Sequence, residues 1–183
     1  MNYVIILVVV LIICLLYFVV VYNKLIKLNN SVNESFATMD VYLKKRWDLI
    51  PNLVEVVKGY ANHEKETFNE ITNLRTNSYD SMSMSKKIDV NEQLTQGISR
   101  IMAVSENYPE LKASENFLQL SSELTKIEDE IANSRKYYNG AVRTLNNKIQ
   151  MFPSNIIAKI FEFKQVNMFE ASAEEKNNVK VEL

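Results

Sequence analysis

The residues able to do chemistry are few in this chain and poorly spaced for it. His63 is the only imidazole. Glu64 and Glu66 stand beside it, but a metal site needs three or four converging ligands, and the paired Glu-x-x-His motifs of a di-iron bundle are excluded within one chain. His63 therefore reads as a solvated residue on a polar face. The single cysteine, Cys14, lies inside an apolar run, which removes disulfide, zinc-thiolate and thiol-nucleophile chemistry and leaves it as apolar filler. Gly59, Gly97 and Gly140 are too far apart to form a phosphate-cradling loop. No catalytic, cofactor-binding or metal-ligating set emerges, and no small-molecule substrate is inferred. With 21 basic against 22 acidic residues, the net charge of −1 supplies no long-range field for nucleic acid.

What remains is charge at helical spacing. Lys44, Lys45 and Arg46 form a basic cluster, yet along a helix they lie ~30 Å beyond the apolar run while screening acts within ~8 Å, so lipid contact is not expected. Glu128, Asp129 and Glu130 with Arg135 and Lys136 read as a solvated face with helix-spaced ion pairs. A sharper arrangement is an inter-helix polar layer. In it Arg46, Asp48 and Asn52 on one helix would meet Glu130, Arg135 and Asn139 on another and set the register between them.

The elements that must position these groups begin with the apolar run from Tyr3 to Tyr22, which contains no charge, Gly or Pro. About 20 residues rising ~1.5 Å each span the ~30 Å of a hydrocarbon core. Tyr3 and Tyr22 mark the two ends, where an amphipathic ring suits the headgroup boundary. A cleaved signal would need a basic start and a small-residue cleavage site, and neither is present. Bulky Ile13 before Cys14 argues against a lipid-modified cysteine. Lys24 and Lys27 follow the run while no Lys or Arg precedes it, which points to an outside N-terminus and a cytoplasmic helical domain. The same run lacks Gly, Ala and Ser, so close small-residue dimerisation is not expected.

Beyond the anchor, three Gly, three Pro and a paucity of strand-like alternation predict an all-α fold. Apolar residues step by three and four from Leu25 through Val32, Phe36, Met39, Leu43, Trp47, Ile50, Val54 and Val57 to Leu74, and again from Phe117 through Leu124, Ile131, Tyr138 and Leu145 to Phe152. A shorter helix between them carries Leu94, Ile98 and Ile101, with Asp89 as its N-cap and an end at Asn107 to Pro109. The segment Thr76 to Lys87 reads as a flexible connection, and Pro51 predicts a kink or break, with Asp48 able to cap a restart. A short last helix runs through Ile156, Ile157, Ile160 and Phe161. The expected organisation is a transmembrane anchor over 1–23, an antiparallel bundle of about four helices over 24–169 with long first and third helices, and a polar tail over 170–183.

Three stretches, YLKKRWDLIPNLVEVVKGYANHE, ENYPELKASENFLQLSSEL and RKYYNGAVRTLNNKIQMFPSNIIA, resemble the signature segments of the bacterial LemA family, in the order expected after an anchor. The resemblance covers the chain from the span to about Phe169; Trp47 stands where the family usually has Tyr. It implies an N-terminal transmembrane helix, an N-out topology, a cytoplasmic four-helix bundle, and no established enzymatic activity, cofactor or catalytic residue. The expected role is a non-enzymatic, membrane-anchored scaffold or interaction module. It would bind the bilayer through residues 3–22 and an unidentified protein partner, or itself, through the bundle. The alternative is an extracytoplasmic sensory or envelope-associated domain of reversed topology.

Overall fold

The computed structural model describes residues 2–61, 64–74 and 78–169, and among them every regular element is helical. The expectations for His63 and for a polar tail over 170–183 lie outside the described residues. The helices are α1 (Asn2–Lys58), α2 (Lys65–Leu74), α3 (Met84–Glu106), α4 (Pro109–Lys112), α5 (Glu115–Gln150) and α6 (Ser154–Ile160). Two long helices are present, as expected; the first is continuous with the apolar run, so that α1 has 57 residues, and α5 has 36.

Of the kink or break expected at Pro51, the break does not occur. Pro51 lies inside α1, and the helix ends instead at Lys58, just before Gly59. A mid-helix proline costs about 3 kcal/mol, but Trp47, Ile50, Leu53, Val54 and Val57 on either side are all buried, and each fully buried apolar side chain returns ~1.5–3 kcal/mol. Gly59 has no side chain to bury and the weakest helix preference after proline, so the chain turns there. Asp48 consequently caps nothing; its carboxylate accepts a bond from Lys44 one turn earlier, at 2.7 Å.

The start of α3 also differs from expectation. Its N-cap is Ser83, whose hydroxyl accepts from the Lys86 amide at 3.3 Å, so Asp89 is already inside the helix. Most of the described part of the Thr76 to Lys87 connection is ordered as a 3₁₀ turn at Tyr79–Ser81 and the first turn of α3. The end comes where expected: Asn107 is the C-cap, and Pro109 opens α4 at a position that needs no amide hydrogen.

The chain divides into two compact units, each fed by both long helices. The first comprises Met1–Ala37 and Lys136–Met168. There α1 and α5 run antiparallel: Phe36 meets Tyr138 with ring centroids 5.9 Å apart, and Lys24 and Lys27 border a groove with Lys148. After α6 the chain doubles back along α5. The Asn146 side chain donates to the Val166 carbonyl at 2.8 Å and accepts from the Val166 amide at 3.0 Å, while the Tyr138 hydroxyl donates to the Asn167 carbonyl at 3.1 Å. Phe152, expected at the end of the apolar seam, is 77 % exposed because the helix has already stopped at Gln150.

The second unit comprises Thr38–Arg135 and Phe169–Leu183, of which Phe169 is the last described residue. Its core combines Leu43, Ile50 and Leu53 of α1 with Phe68 and Ile71 of α2, Leu94 and Ile101 of α3, Leu111 of α4 and Leu124 and Ile131 of α5. Helices α2 and α3 approach closely at Gly97, where an added Cβ would stand 2.7 Å from Cγ1 of Ile71. Any side chain there would force Ile71 or its helix to shift.

Candidate functional site

The polar centre of the second unit forms around Arg46. Its position follows from helix geometry: residue 46 falls between Leu43, Trp47 and Ile50 on the buried face of α1, and the side chain is 0 % exposed. A guanidinium there must be paired on nearly every donor or the cost of burial exceeds what folding can absorb. Nη1 donates to the Thr95 hydroxyl at 3.0 Å and to the Glu128 carboxylate, while Nη2 donates to the Asn91 carbonyl at 2.6 Å and to the Asn91 side-chain oxygen. The Thr95 hydroxyl in turn donates to the Asn91 carbonyl at 3.2 Å. Three helices are thereby joined through one cation. Burial pulls the Arg46 guanidinium below its ordinary pKa, and the charge and hydrogen bond of Glu128 oppose that shift.

A second polar chain lies in the same unit. The Tyr79 hydroxyl donates to Asp40 at 2.6 Å, the other Asp40 oxygen pairs with Lys87 at 2.6 Å, and the Lys87 ammonium sits 4.5 Å from the centroid of the Tyr79 ring. Trp47 packs on the same ring at 5.4 Å. Tyr79 is held well above the ordinary tyrosine range, first by burial, then by its bond to Asp40 and the Asp40 charge. It is consequently neutral, a donor rather than a base.

The residues assigned to a polar layer by sequence are distributed as follows. Arg46 is central, but its carboxylate partner is Glu128, two positions from Glu130. Glu130 is exposed, and its backbone carbonyl accepts from Ser134. Positions 128 and 130 flank the buried face of Ile127 and Ile131 at equal angles on opposite sides, and it is the 128 side that is turned toward Arg46. Asp48 is occupied by Lys44 and Asn52 is exposed. Arg135 is half-buried, its guanidinium 5.6 Å from the Phe169 ring centroid, and Asn139 is a half-buried residue of the first unit. Sequence reasoning misses Asn91, Thr95, Asp40, Tyr79 and Lys87. A signal does exist for the first two: they sit three residues before and one after Leu94, adjoining an otherwise apolar face.

A cavity of about 210 Å³ borders this network, lined by Arg46, Asn91, Glu92, Glu128, Arg135 and Phe169 among others. Ligand pockets usually run from ~300 Å³ upward, so this is a narrow recess beside a structural network. Among the described residues no three His, Cys, Asp or Glu side chains converge as a metal would require.

At the other end of α1 the geometry is unlike any soluble core. From Tyr3 to Val20 almost every large apolar side chain is exposed, for example Leu11 by 61 %, on all faces of the helix. Such a helix is stable only in an apolar phase, and a bilayer provides one that demands full internal backbone bonding, which α1 satisfies. The chain is a membrane-associated helical protein.

Comparison with known proteins agrees. Over 158 residues the chain is 29 % identical to Protein LemA of Metamycoplasma hominis, covering 86 % of this chain and 72 % of that protein. It is 24 % identical over 175 residues to magnetosome protein MamQ 2 of Paramagnetospirillum magneticum and 22 % identical over 174 residues to magnetosome protein MamQ of Magnetospirillum gryphiswaldense, in each case covering 81 % of this chain. The chain spans 64 % of the length of these two magnetosome proteins, a little under two thirds. The LemA family profile matches residues 35–183, which takes in the Arg46 network, α1 from Ser35 onward, the whole of α5 and α6, and the chain therefore belongs to the LemA family.

Proposed function

We propose that the protein is a non-enzymatic, membrane-anchored helical module that presents its bundle to a protein partner or to further copies of itself, with the anchor over 1–23 and the bundle over 24–169. The observation that carries this reading is the Arg46 network. The most buried charge among the described residues is spent on three helices of its own unit instead of facing a substrate-sized cavity. A cation used in this way sets the register of a bundle, the role sequence assigned to the polar layer, here with Glu128, Asn91 and Thr95 as its members. The relatives named for the magnetosome carry the name of a structure and not of a reaction, which supports the same reading. Lys24 and Lys27 directly after the span favour a cytoplasmic bundle.

Two measurements test it. Photoreactive residues placed at exposed bundle positions in native membranes are expected to give discrete adducts; a chain that remains monomeric at every position overturns the interaction role. For topology, Ser85→Cys in a Cys14→Ala background is expected to resist a membrane-impermeant thiol reagent in intact cells and to react after permeabilisation. Labelling of intact cells would instead assign the bundle to the extracytoplasmic side.

A further inference from the structure

The corner between α5 and α6 presents a second apolar surface that the anchor does not account for. Helix α6 buries Ser154, Ile157 and Ala158 on one side. The other side and the preceding turn leave Met151, Phe152, Ile156, Ile160 and Phe161 exposed, Phe152 by 77 % and Ile160 by 61 %. Large apolar side chains clustered in this way mark a contact surface. The location names the occupant. The Phe161 ring lies 5.5 Å from Phe18 and 4.6 Å from Tyr22, centroid to centroid, and Phe163 lies 6.2 Å from Tyr22. Tyr22 is the end of the span and Phe18 is one turn inside it, so Phe161 reaches ~6 Å below the boundary. Helices that lie in a membrane interface bury their apolar face by ~5–10 Å, and Phe161, at the C-terminal end of α6, reaches that depth.

Charge agrees with position. Lys24 and Lys27 of α1 and Lys148 of α5 border one open groove with Tyr17, Val20 and Val21 at the end of the span. Lys159 and Lys164 flank the apolar patch, and Glu162 is the only acidic residue between Met151 and Met168. We infer that the α5–α6 corner is a second membrane contact, in which α6 lies in the interface with Ile156, Ile160 and Phe161 inserted, and Lys24, Lys27 and Lys148 hold the phosphates of anionic lipid. A second copy is a poorer occupant, because docking two such corners would bring their lysines together without compensation.

The test uses the full chain reconstituted in phosphatidylcholine vesicles with and without phosphatidylglycerol, with single spin labels at Ile156→Cys, Ile160→Cys or Tyr137→Cys in the Cys14→Ala background. Tyr137, 78 % exposed on α5, is the aqueous control. The labels on α6 should lose most of their collisions with a water-soluble nickel chelate and gain collisions with oxygen, more so when phosphatidylglycerol is present. Replacing Lys24, Lys27 and Lys148 by Gln should abolish that dependence on anionic lipid while circular dichroism shows unchanged helix content. The inference is overturned if the α6 labels collide with the chelate as freely as Tyr137→Cys, if lipid dependence survives the triple replacement, or if label–label broadening shows two corners in contact.

Discussion

The two units use the same long helices to make different kinds of interior. In the first, Leu25, Val32, Phe36, Tyr138, Val142 and Leu145 form an apolar seam, and the polar bonds lie at its margin, where Asn146 and Tyr138 hold backbone groups of Val166 and Asn167. In the second, a guanidinium with no exposed surface is bonded to two neighbouring helices, and a Tyr79–Asp40–Lys87 chain lies in the same unit. An aliphatic seam stabilises strongly but resists sliding weakly, because a one-turn slip exchanges one branched side chain for another. A buried guanidinium bonds to groups at fixed positions, and a slip would break those bonds. The second unit thus adds directional bonds to its apolar core, while the interior of the first is an apolar seam.

That contrast can be broken most sharply at Glu128. Glu128→Ala leaves the Arg46 charge buried with its counter-ion gone and is expected to cost about 3 kcal/mol of unfolding free energy in detergent, the low end of the usual range because Glu128 is 39 % exposed. The double change Arg46→Met with Glu128→Leu should recover most of that loss. A loss no larger than an exposed ion pair would mean that both units are apolar seams.

Next in size is Tyr79→Phe, which deletes a hydrogen bond to a carboxylate and should cost about 1.5–3 kcal/mol near neutral pH. It also carries a pH signature. The folded protein keeps the Tyr79 proton well beyond the ~10 at which an unfolded tyrosine ionises, so the native state binds more protons above that pH. Stability present below pH ~10 is lost as pH rises further, and Tyr79→Phe should flatten this part of an alkaline denaturation profile.

Gly97→Ala forces a Cβ against the branched part of Ile71 and is expected to lower the midpoint of thermal unfolding, at a cost of about 1–3 kcal/mol. In the first unit Asn146→Ala removes two bonds to Val166 and should cost about 1 kcal/mol, with faster proteolysis near Gln165 as the direct readout. The smallest effect has the opposite sign. A methyl group added at Gly140 on α5 would meet nothing within 4 Å, so Gly140→Ala should raise stability by about 0.5–1 kcal/mol, read as a higher midpoint of thermal unfolding. Two glycines in two helices thus separate a position that needs the space from one that does not.

The seams are legible in the sequence because helical burial follows a three-and-four step: Leu25, Val32, Phe36, Met39, Leu43, Trp47, Ile50, Val54 and Val57 fall on that step and are all buried. Helix ends are less so. Pro51 is a strong local signal for a break, but its cost is local, whereas the burial that overrides it depends on neighbours distant in sequence. Phe152 continues the periodic pattern and is exposed, because periodicity does not record where the backbone leaves the helix. Arg46 stands out in the sequence as a polar residue on an apolar face; its partners do not, since choosing Glu128 over Glu130 depends on the rotation of α5 about its own axis.

Composition and order along the chain were enough to determine an all-helical protein with a lipid-spanning start and two amphipathic rods, because those properties follow from side-chain hydrophobicity at a fixed backbone period. Only the tertiary structure decided that α1 passes through Pro51, that the two terminal nitrogens of Arg46 bond to Asn91, Thr95 and Glu128, and that the chain after α6 returns to the end of the span. Each of these depends on groups far apart in sequence being brought within a few ångströms, and no local pattern encodes that distance.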